Sequence, residues 1–323
     1  MIRSILTGVG AYLPEKVLTN DDLSKIVDTS DEWIRQRTGI ERRHVAGEGE
    51  LTCDLAANAA RAAMKMAGVD AREIDLLILA TTTPDNTFPA TAARVQAKLG
   101  VHQGPAFDIQ AVCSGFIFAL TQADNMIRLG QAKKALVIGA EIYSRILDWE
   151  DRGTCVLFGD GAGAVVLQAA EGDGTSADRG VLATETGTDG SHYDALYVDG
   201  GVATTGHAGH VRMAGQEVFR HAVSRMSQSV ENVIARTGLA KADLNWLIPH
   251  QANARIIAKV GDKLGVPQDN VIVTVQEHAN TSAATIPLAL THGVATQSFK
   301  PGDLIALTAM GGGFTWGAAL LRW

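Results

Sequence analysis

One stretch of this chain occurs twice. Gly68-Val69-Asp70-Ala71-Arg72-Glu73-Ile74-Asp75-Leu76-Leu77-Ile78 has a counterpart in Gly238-Leu239-Ala240-Lys241-Ala242-Asp243-Leu244-Asn245-Trp246-Leu247-Ile248. Each reads as a glycine stop, a short polar turn and an apolar run. Two more pairs follow in the same order. Val112-Cys113-Ser114-Gly115 holds the place of Ala279-Asn280-Thr281-Ser282, and Phe158-Gly159-Asp160-Gly161-Ala162-Gly163-Ala164-Val165 that of the glycine-rich segment before Ala318-Ala319-Leu320. A duplication this long restricts the fold to two similar units packed about a pseudo-twofold axis. Such packing brings equivalent strand ends together, so Cys113, His250 and Asn280 can converge although far apart in sequence.

Within each unit, continuous apolar runs alternate with segments of helical period. This predicts an α/β architecture of mostly parallel strands with helical crossovers. Strands are expected over 5–10, 74–80, 106–109, 135–140, 154–158 and 162–168, then 181–186, 245–248, 271–273, 304–309 and 316–321. Helices are expected over 52–67, 91–99, 114–129, 214–237, 253–264 and 281–292. Thr52 is the expected cap of the first, whose apolar stripe is Leu55, Ala59, Ala62, Ala63 and Met66, and Pro287 an expected kink in the last. The Gly-, Asp- and Ser-rich stretch from Glu171 to Gly180 divides the chain into 1–172, carrying Cys113, and 173–323, carrying His250 and Asn280.

Three cysteines in 323 residues, without framework spacing, predict free thiols in a reducing compartment. A net charge of −7 argues against a general nucleic-acid binder. Met1 to Gly8 lacks the apolar core of a signal peptide, and no apolar run reaches the roughly 18 residues of a membrane span. A cytoplasmic setting is expected, with no nucleic acid and no membrane among the partners.

Cys113 follows a strand-like run, Ala106 to Ile109, and opens a helix-like one. Unpaired N–H groups and the helix dipole lower a thiol's pKa at such a place. A lone cysteine there reads more readily as inert core. Cys53 lies in the first turn of the 52–67 helix but has no nearby His, and Cys155 lies in an expected strand; both read as structural. Trp33 reads equally as core or as a site aromatic, and Arg37 and Arg43 can be ordinary solvated charge.

A set of motifs, in order from end to end, changes the weighing. It comprises Asp31-Glu32-Trp33-Ile34 with Arg37-Thr38-Gly39-Ile40, Val112-Cys113-Ser114-Gly115, Asp151-Arg152-Gly153-Thr154, Phe158 to Ala164, Met213-Ala214-Gly215, Pro249-His250-Gln251-Ala252-Asn253, His278-Ala279-Asn280-Thr281-Ser282 and Gly311-Gly312-Gly313-Phe314-Thr315-Trp316-Gly317. Together these resemble the β-ketoacyl-[acyl-carrier-protein] synthase III family. The resemblance implies the thiolase fold, a duplicated five-layered α/β/α/β/α arrangement with pseudo-twofold halves, in a homodimer. It implies transfer of acetyl from acetyl-CoA to a cysteine, then condensation with malonyl-[acyl-carrier protein], without a metal or redox cofactor.

By that resemblance Cys113 is the nucleophile, and His250 and Asn280 donate hydrogen bonds to the enolate formed on decarboxylation. Backbone N–H groups of Cys113 and Gly313 form the oxyanion hole. His250 as a base on Cys113 is the rival role. Trp33, Arg37 and Arg152 match the residues that hold CoA's adenine and phosphates, and Thr38, Gly215 and Asn253 line the pantetheine tunnel. Phe88 matches the residue that closes the partner's acyl pocket, beside which Met310 lies. Arg220, Gln251, Ala252, Arg255 and Lys259, with Lys263, are the candidate carrier-protein face.

Asn280 distinguishes this chain from relatives carrying Cys or His at that position. It points to the priming synthases or to plant-type polyketide synthases. Met310 and Thr83-Pro84-Asp85-Asn86-Thr87 depart from the family pattern near the acyl chain, which leaves the primer open. The rival readings are a synthase priming with another acyl-CoA in a polyketide or quinolone-type pathway, a non-catalytic acyl-binding subunit, and a cysteine hydrolase.

Overall fold

The computed structural model describes residues 1–296 and 298–323. The first half runs β1 (Ile2–Tyr12), β2 (Lys16–Thr19), α1 (Asn20–Leu23), α2 (Asp31–Thr38), β3 (Arg42–Val45), α3 (Thr52–Ala67), β4 (Leu76–Ala80), α4 (Thr91–Leu99), β5 (Ala106–Ile109), α5 (Gly115–Arg128), β6 (Lys134–Ile142) and β7 (Asp160–Glu171). The second runs β8 (Gly180–Thr188), β9 (Leu196–Val198), β10 (Val211–Met213), α6 (Gly215–Thr237), β11 (Trp246–Pro249), α7 (Ala254–Leu264), α8 (Val275–His278), α9 (Thr285–Ala295), β12 (Leu304–Gly311) and β13 (Thr315–Arg322).

The duplication is visible in the sheets. One has the order β1-β7-β6-β4-β5, the other β8-β13-β12-β11, with Val271 bridging β11 where a fifth strand would lie. In both, the first two pairings are antiparallel and the later ones parallel. The sheets are therefore mixed, not mostly parallel as the crossover pattern suggests. The expected strand over 271–273 reduces to that single bridge.

Five layers result. Helices α3 and α4 cover the outer face of the first sheet, and α6 and α7 that of the second. Between the sheets lie α5 and α9, whose Phe116, Ile117, Leu120, Ile286, Ala289 and Leu290 join both sheets in one core. β4 is buried along its whole length, as a continuous Leu-Leu-Ile-Leu-Ala run requires when helices cover both faces.

Helix α3 ends at left-handed Gly68 (φ 64°) and α6 at left-handed Gly238 (φ 70°), which fixes the register of the repeat. Near Cys113 the register shifts. Val112 (φ 49°) opens the 3-10 turn Val112–Ser114 that feeds α5, and Ser282 (φ 50°) opens the turn Ser282–Ala284 that feeds α9. The counterpart of Cys113 is thus Ala283. Asn280 lies in the extra residues that precede the second turn.

Several local expectations change. Thr154–Phe158 is a turn, not a strand, and Phe158 bridges to Asn280. Pro287 occupies the first turn of α9, where no intrahelical N–H bond is lost, so no kink arises there. Thr52 is the first residue of α3 and donates its hydroxyl to Thr83 O at 2.6 Å instead of capping the helix. Met66 on that helix is exposed, and Ala56, Ala60 and Met64 join the buried stripe. Arg43 is fully buried and donates to Asn20 Oδ1 (2.9 Å) and Val156 O (3.0 Å). In the Gly159–Ala164 motif a Cβ at Gly163 would lie 2.7 Å from Leu288 N and Pro287 Cβ, so that glycine serves the packing of α9 on β7.

Candidate active site

One cavity reaches from the surface to Cys113. Its lining includes Cys113, His250 and Asn280 at the inner end and Trp33, Arg37 and Asn253 nearer the surface. Thr38, Gly215, Ala252 and Met310 also line it. The two halves supply the inner residues separately, Cys113 from the turn before α5, His250 from the end of β11, and Asn280 from the segment before α9.

Local geometry sets each group. Val112 holds a left-handed backbone, which for a β-branched residue costs roughly 1–3 kcal/mol. Hydroxyls anchor it: Ser114 Oγ and Thr315 Oγ1 lie 2.7 Å apart and each reaches Ala111 O at 2.8 Å. Asn280 Oδ1 accepts from Ser282 N at 2.9 Å, so its amide N–H₂ is the end left for a ligand. Asn280 is further fixed by the backbone bonds Asn280 N to Leu157 O and Gly159 N to Asn280 O, both 3.0 Å. His250 Nδ1 is 2.7 Å from Thr285 Oγ1.

The thiol is not acidified as its helix start suggests. Burial raises Cys113 from 9.0 to about 12, with the nearby Glu141 carboxylate adding to the rise. A shift of that size corresponds to about 4 kcal/mol, whereas a helix N-terminus supplies at most about 2. Burial therefore wins, and Cys113 rests as the thiol. Burial also lowers His250 to about 3, so its imidazole is neutral at physiological pH.

Thr285 and Glu141 carry no signal in the motif reading. Thr285 sits in the first turn of α9, opposite His250. Glu141 is a fully buried acid on β6 accepting from Thr82 N (3.0 Å), Thr82 Oγ1 (3.0 Å) and Thr83 Oγ1 (2.7 Å). A lone acid inside the apolar run Ala135–Ile142 is the clue that was there to follow.

The remaining candidates divide. Arg37 Cζ and Arg152 Cζ lie 4.7 and 5.0 Å from the Trp33 ring centroid, so these three form one aromatic–cationic cluster at the cavity mouth. Asn253 caps α7 and donates Nδ2 to Arg37 O at 2.9 Å, tying that helix to the cluster. Met310 is buried against the cavity. Gly313 lines a second cavity with Val112 and Gly312. The glycine that abuts Cys113 is instead Gly311, where a Cβ would lie 2.6 Å from Cys113 N. Phe88 is 81% exposed and lines neither cavity.

Arg220, Arg255, Lys259 and Lys263 are exposed on the packed pair α6 and α7. Arg255 lies over the Phe219 ring at 5.7 Å. Gln251 does not belong with them. It is fully buried, donates to Pro249 O (2.7 Å) and Ile272 O (3.1 Å), and accepts from Thr274 N (2.7 Å). Its side chain holds the strand end that presents His250. Ala252 faces the cavity, not the outer surface.

Two family models match, 3-oxoacyl-[acyl-carrier-protein (ACP)] synthase III over residues 107–190 and its C-terminal model over 234–323. The β-ketoacyl-[acyl-carrier-protein] synthase III of Rhodospirillum centenum is 62% identical over 322 residues, covering 100% of this chain and 99% of that one. The chain belongs to the β-ketoacyl-[acyl-carrier-protein] synthase III family. Solved structures agree. The 3-oxoacyl-[acyl-carrier-protein] synthase III of Aquifex aeolicus superposes with a TM-score of 0.93 at 48% identity, covering 99% of this chain and 100% of that chain. The enzyme of Pseudomonas aeruginosa gives 0.93 at 43% identity, covering 99% and 98%. The fold is accordingly the thiolase fold, and the chain is a condensing acyltransferase of fatty acid synthesis. No helix among the described residues is long and apolar enough to cross a membrane.

Proposed function

We propose that this synthase III starts fatty acid synthesis in two stages on Cys113, working across two half-units, residues 1–172 and 173–323. In the first, the Cys113 sulfur attacks the acetyl-CoA carbonyl and forms a new thioester. The bond between the acetyl carbonyl carbon and the CoA sulfur breaks, and the proton lost by Cys113 leaves on the CoA thiol. The N–H groups of Cys113 and the glycine loop donate hydrogen bonds to the transient oxyanion, the loop's close approach depending on Gly311.

In the second stage the malonyl group of malonyl-[acyl-carrier protein] loses CO2, and its bonding electrons form a thioester enolate. His250 and Asn280 donate hydrogen bonds to that oxygen as the charge develops. The enolate carbon attacks the acetyl-Cys113 carbonyl, and the cysteine sulfur leaves as a thiolate that takes up a proton from solvent to restore the thiol. The products are 3-oxoacyl-[acyl-carrier protein], CoA and CO2. Neither stage calls for a metal or redox cofactor.

The observation that carries this reading is the cavity shared by Cys113, His250 and Asn280 and opened by Trp33 and Arg37. An aromatic face with two guanidinium groups suits an adenine and phosphates. A pantetheine arm threads past Thr38, Gly215 and Asn253. The cations of α6 and α7 suit an acidic carrier protein. Exposed Phe88 suits a homodimer in which it closes the partner's acyl pocket, with Met310 on the near side. Met310, a flexible thioether in the cavity, also favours a second reading in which a longer acyl-CoA is the primer.

The test is intact-mass analysis after incubation with acetyl-CoA, followed by peptide mapping. An acetyl adduct on Cys113 is expected. No adduct, or one elsewhere, overturns the mechanism. A panel of acyl-CoA primers decides between the two readings.

A further inference from the structure

The geometry points to a binding site for one transition-metal ion of the Zn²⁺ class, held by His192, Glu217 and His221 and separate from the condensing chemistry. One ligand atom of each residue lies within 4.8 Å of the others. Glu217 and His221 are four residues apart on α6 and so share a helix face. His192 comes from the 3-10 turn Gly190–Ala195, so the site joins two elements. His192 Nδ1 already lies 2.8 Å from Glu217 Oε1, and the two imidazole centroids are 4.4 Å apart.

The setting favours a cation over an empty polar cluster. His192 and Glu217 side chains are 25% and 36% exposed, reachable yet partly desolvated. Asp189 Oδ2 stands 4.0 Å from His192 Nε2, the other ring nitrogen. The nearby cation Arg225 is engaged by Asp189 at 3.5 Å and lies over the Trp316 ring at 4.3 Å, and Arg220 is exposed to solvent. Two imidazoles and one carboxylate suit Zn²⁺, Co²⁺, Ni²⁺ or Cu²⁺ rather than Ca²⁺ or Mg²⁺. Four-coordinate Zn²⁺ with bonds of about 2.1 Å needs its ligand atoms roughly 3.4 Å apart, a spacing inside the 4.8 Å within which these atoms already lie.

The location gives the ion a route to the active site. Phe314 packs beneath both rings, at centroid distances of 5.0 Å to His192 and 5.2 Å to His221. Asp189 N donates to Phe314 O at 2.8 Å. Phe314 directly follows Gly311–Gly313, so an ion here is one side-chain layer from the loop beside Cys113.

The test is a Co²⁺ titration of the full chain followed by visible absorption. One bound equivalent is expected, with ligand-field bands and no thiolate-to-metal charge transfer. His221→Val and Glu217→Gln should each weaken binding at least tenfold while still accepting acetyl on Cys113, which shows that they fold. Binding that survives in His221→Val, a thiolate charge-transfer band that places the ion on a cysteine, or no saturable Co²⁺ or Zn²⁺ binding at all would each overturn the proposal.

Discussion

Thr285 Oγ1 lies 2.7 Å from His250 Nδ1 and 3.0 Å from Ser282 O. Its single hydroxyl proton serves one of these acceptors at a time. Directed at Nδ1, it leaves the imidazole proton on Nε2, and His250 donates to substrate. Directed at Ser282 O, it accepts from Nδ1–H, and His250 presents a bare Nε2 that acts as a base. Thr285 is thus the positioning residue that separates the two roles. In the proposed mechanism the donor tautomer serves decarboxylation. Thr285→Val should slow malonyl decarboxylation roughly 10²-fold and spare much of the acylation of Cys113, whereas Thr285→Ser restores both. Loss of acylation with decarboxylation intact would reassign His250 as the base.

The same division of labour is read directly from the donors. Asn280→Ala removes one N–H donor and should cost roughly 10²- to 10³-fold in decarboxylation and condensation. His250→Ala should do the same. Acetyl transfer from acetyl-CoA to Cys113, followed by mass, should persist in both. Were Asn280→Ala to abolish acylation and leave decarboxylation untouched, the second-stage role would be wrong.

Much of this site was legible because chemistry leaves local marks. Cys113 sits between a strand and a helix, His250 at a strand end, and Asn280 before a helix, and each position can be read from apolar runs and glycine stops. What was not legible depends on what faces what. A thiol at a helix start looks acidified until the covering layers are known, and burial reverses the sign. Gln251 looks polar and exposed in sequence but turns inward to bind three backbone groups. Thr285 lies far from His250 in sequence, and only the packing of α9 between the sheets brings its hydroxyl to the ring. The offset between Cys113 and Asn280 is hidden because both halves place small polar residues around a helix start.

Trp33 with its two arginines makes a separable prediction about binding. Stacking of this kind contributes about 0.5–1.5 kcal/mol, so Trp33→Ala should raise KM for acetyl-CoA roughly three- to tenfold and change kcat little. Arg37→Ala and Arg152→Ala should raise it further at low salt than at high salt. A truncated acetyl thioester without the nucleotide should be used equally well by all three variants and the unaltered enzyme. If the variants are as poor with the truncated substrate, the cluster is structural and does not contact the nucleotide.

Glu141 makes a prediction about pH. Burial, opposed by the hydroxyls and backbone N–H around it, raises its carboxyl from 4.5 to about 7. Below pH 4.5 it is protonated in folded and unfolded chains alike and adds no pH dependence. Between 4.5 and 7 the unfolded chain gives up its proton first, so stability falls as pH rises, by about 3 kcal/mol in total. Above 7 both states are ionised and the loss is complete. His250, held down to about 3, has the opposite slope. The unfolded chain takes up a proton below 6.5 and the folded chain does not, so stability falls with falling pH from 6.5 to about 3. The unaltered chain therefore shows a mixture of the two, and the contribution of Glu141 appears only as a difference. In urea titrations, the stability of Glu141→Gln relative to the unaltered chain should rise by about 3 kcal/mol between pH 4.5 and 7 and stay level above it. A difference that is flat across that range would mean that Glu141 is already ionised in the fold. Its charge would then oppose ionisation of the Cys113 thiol throughout the working pH range.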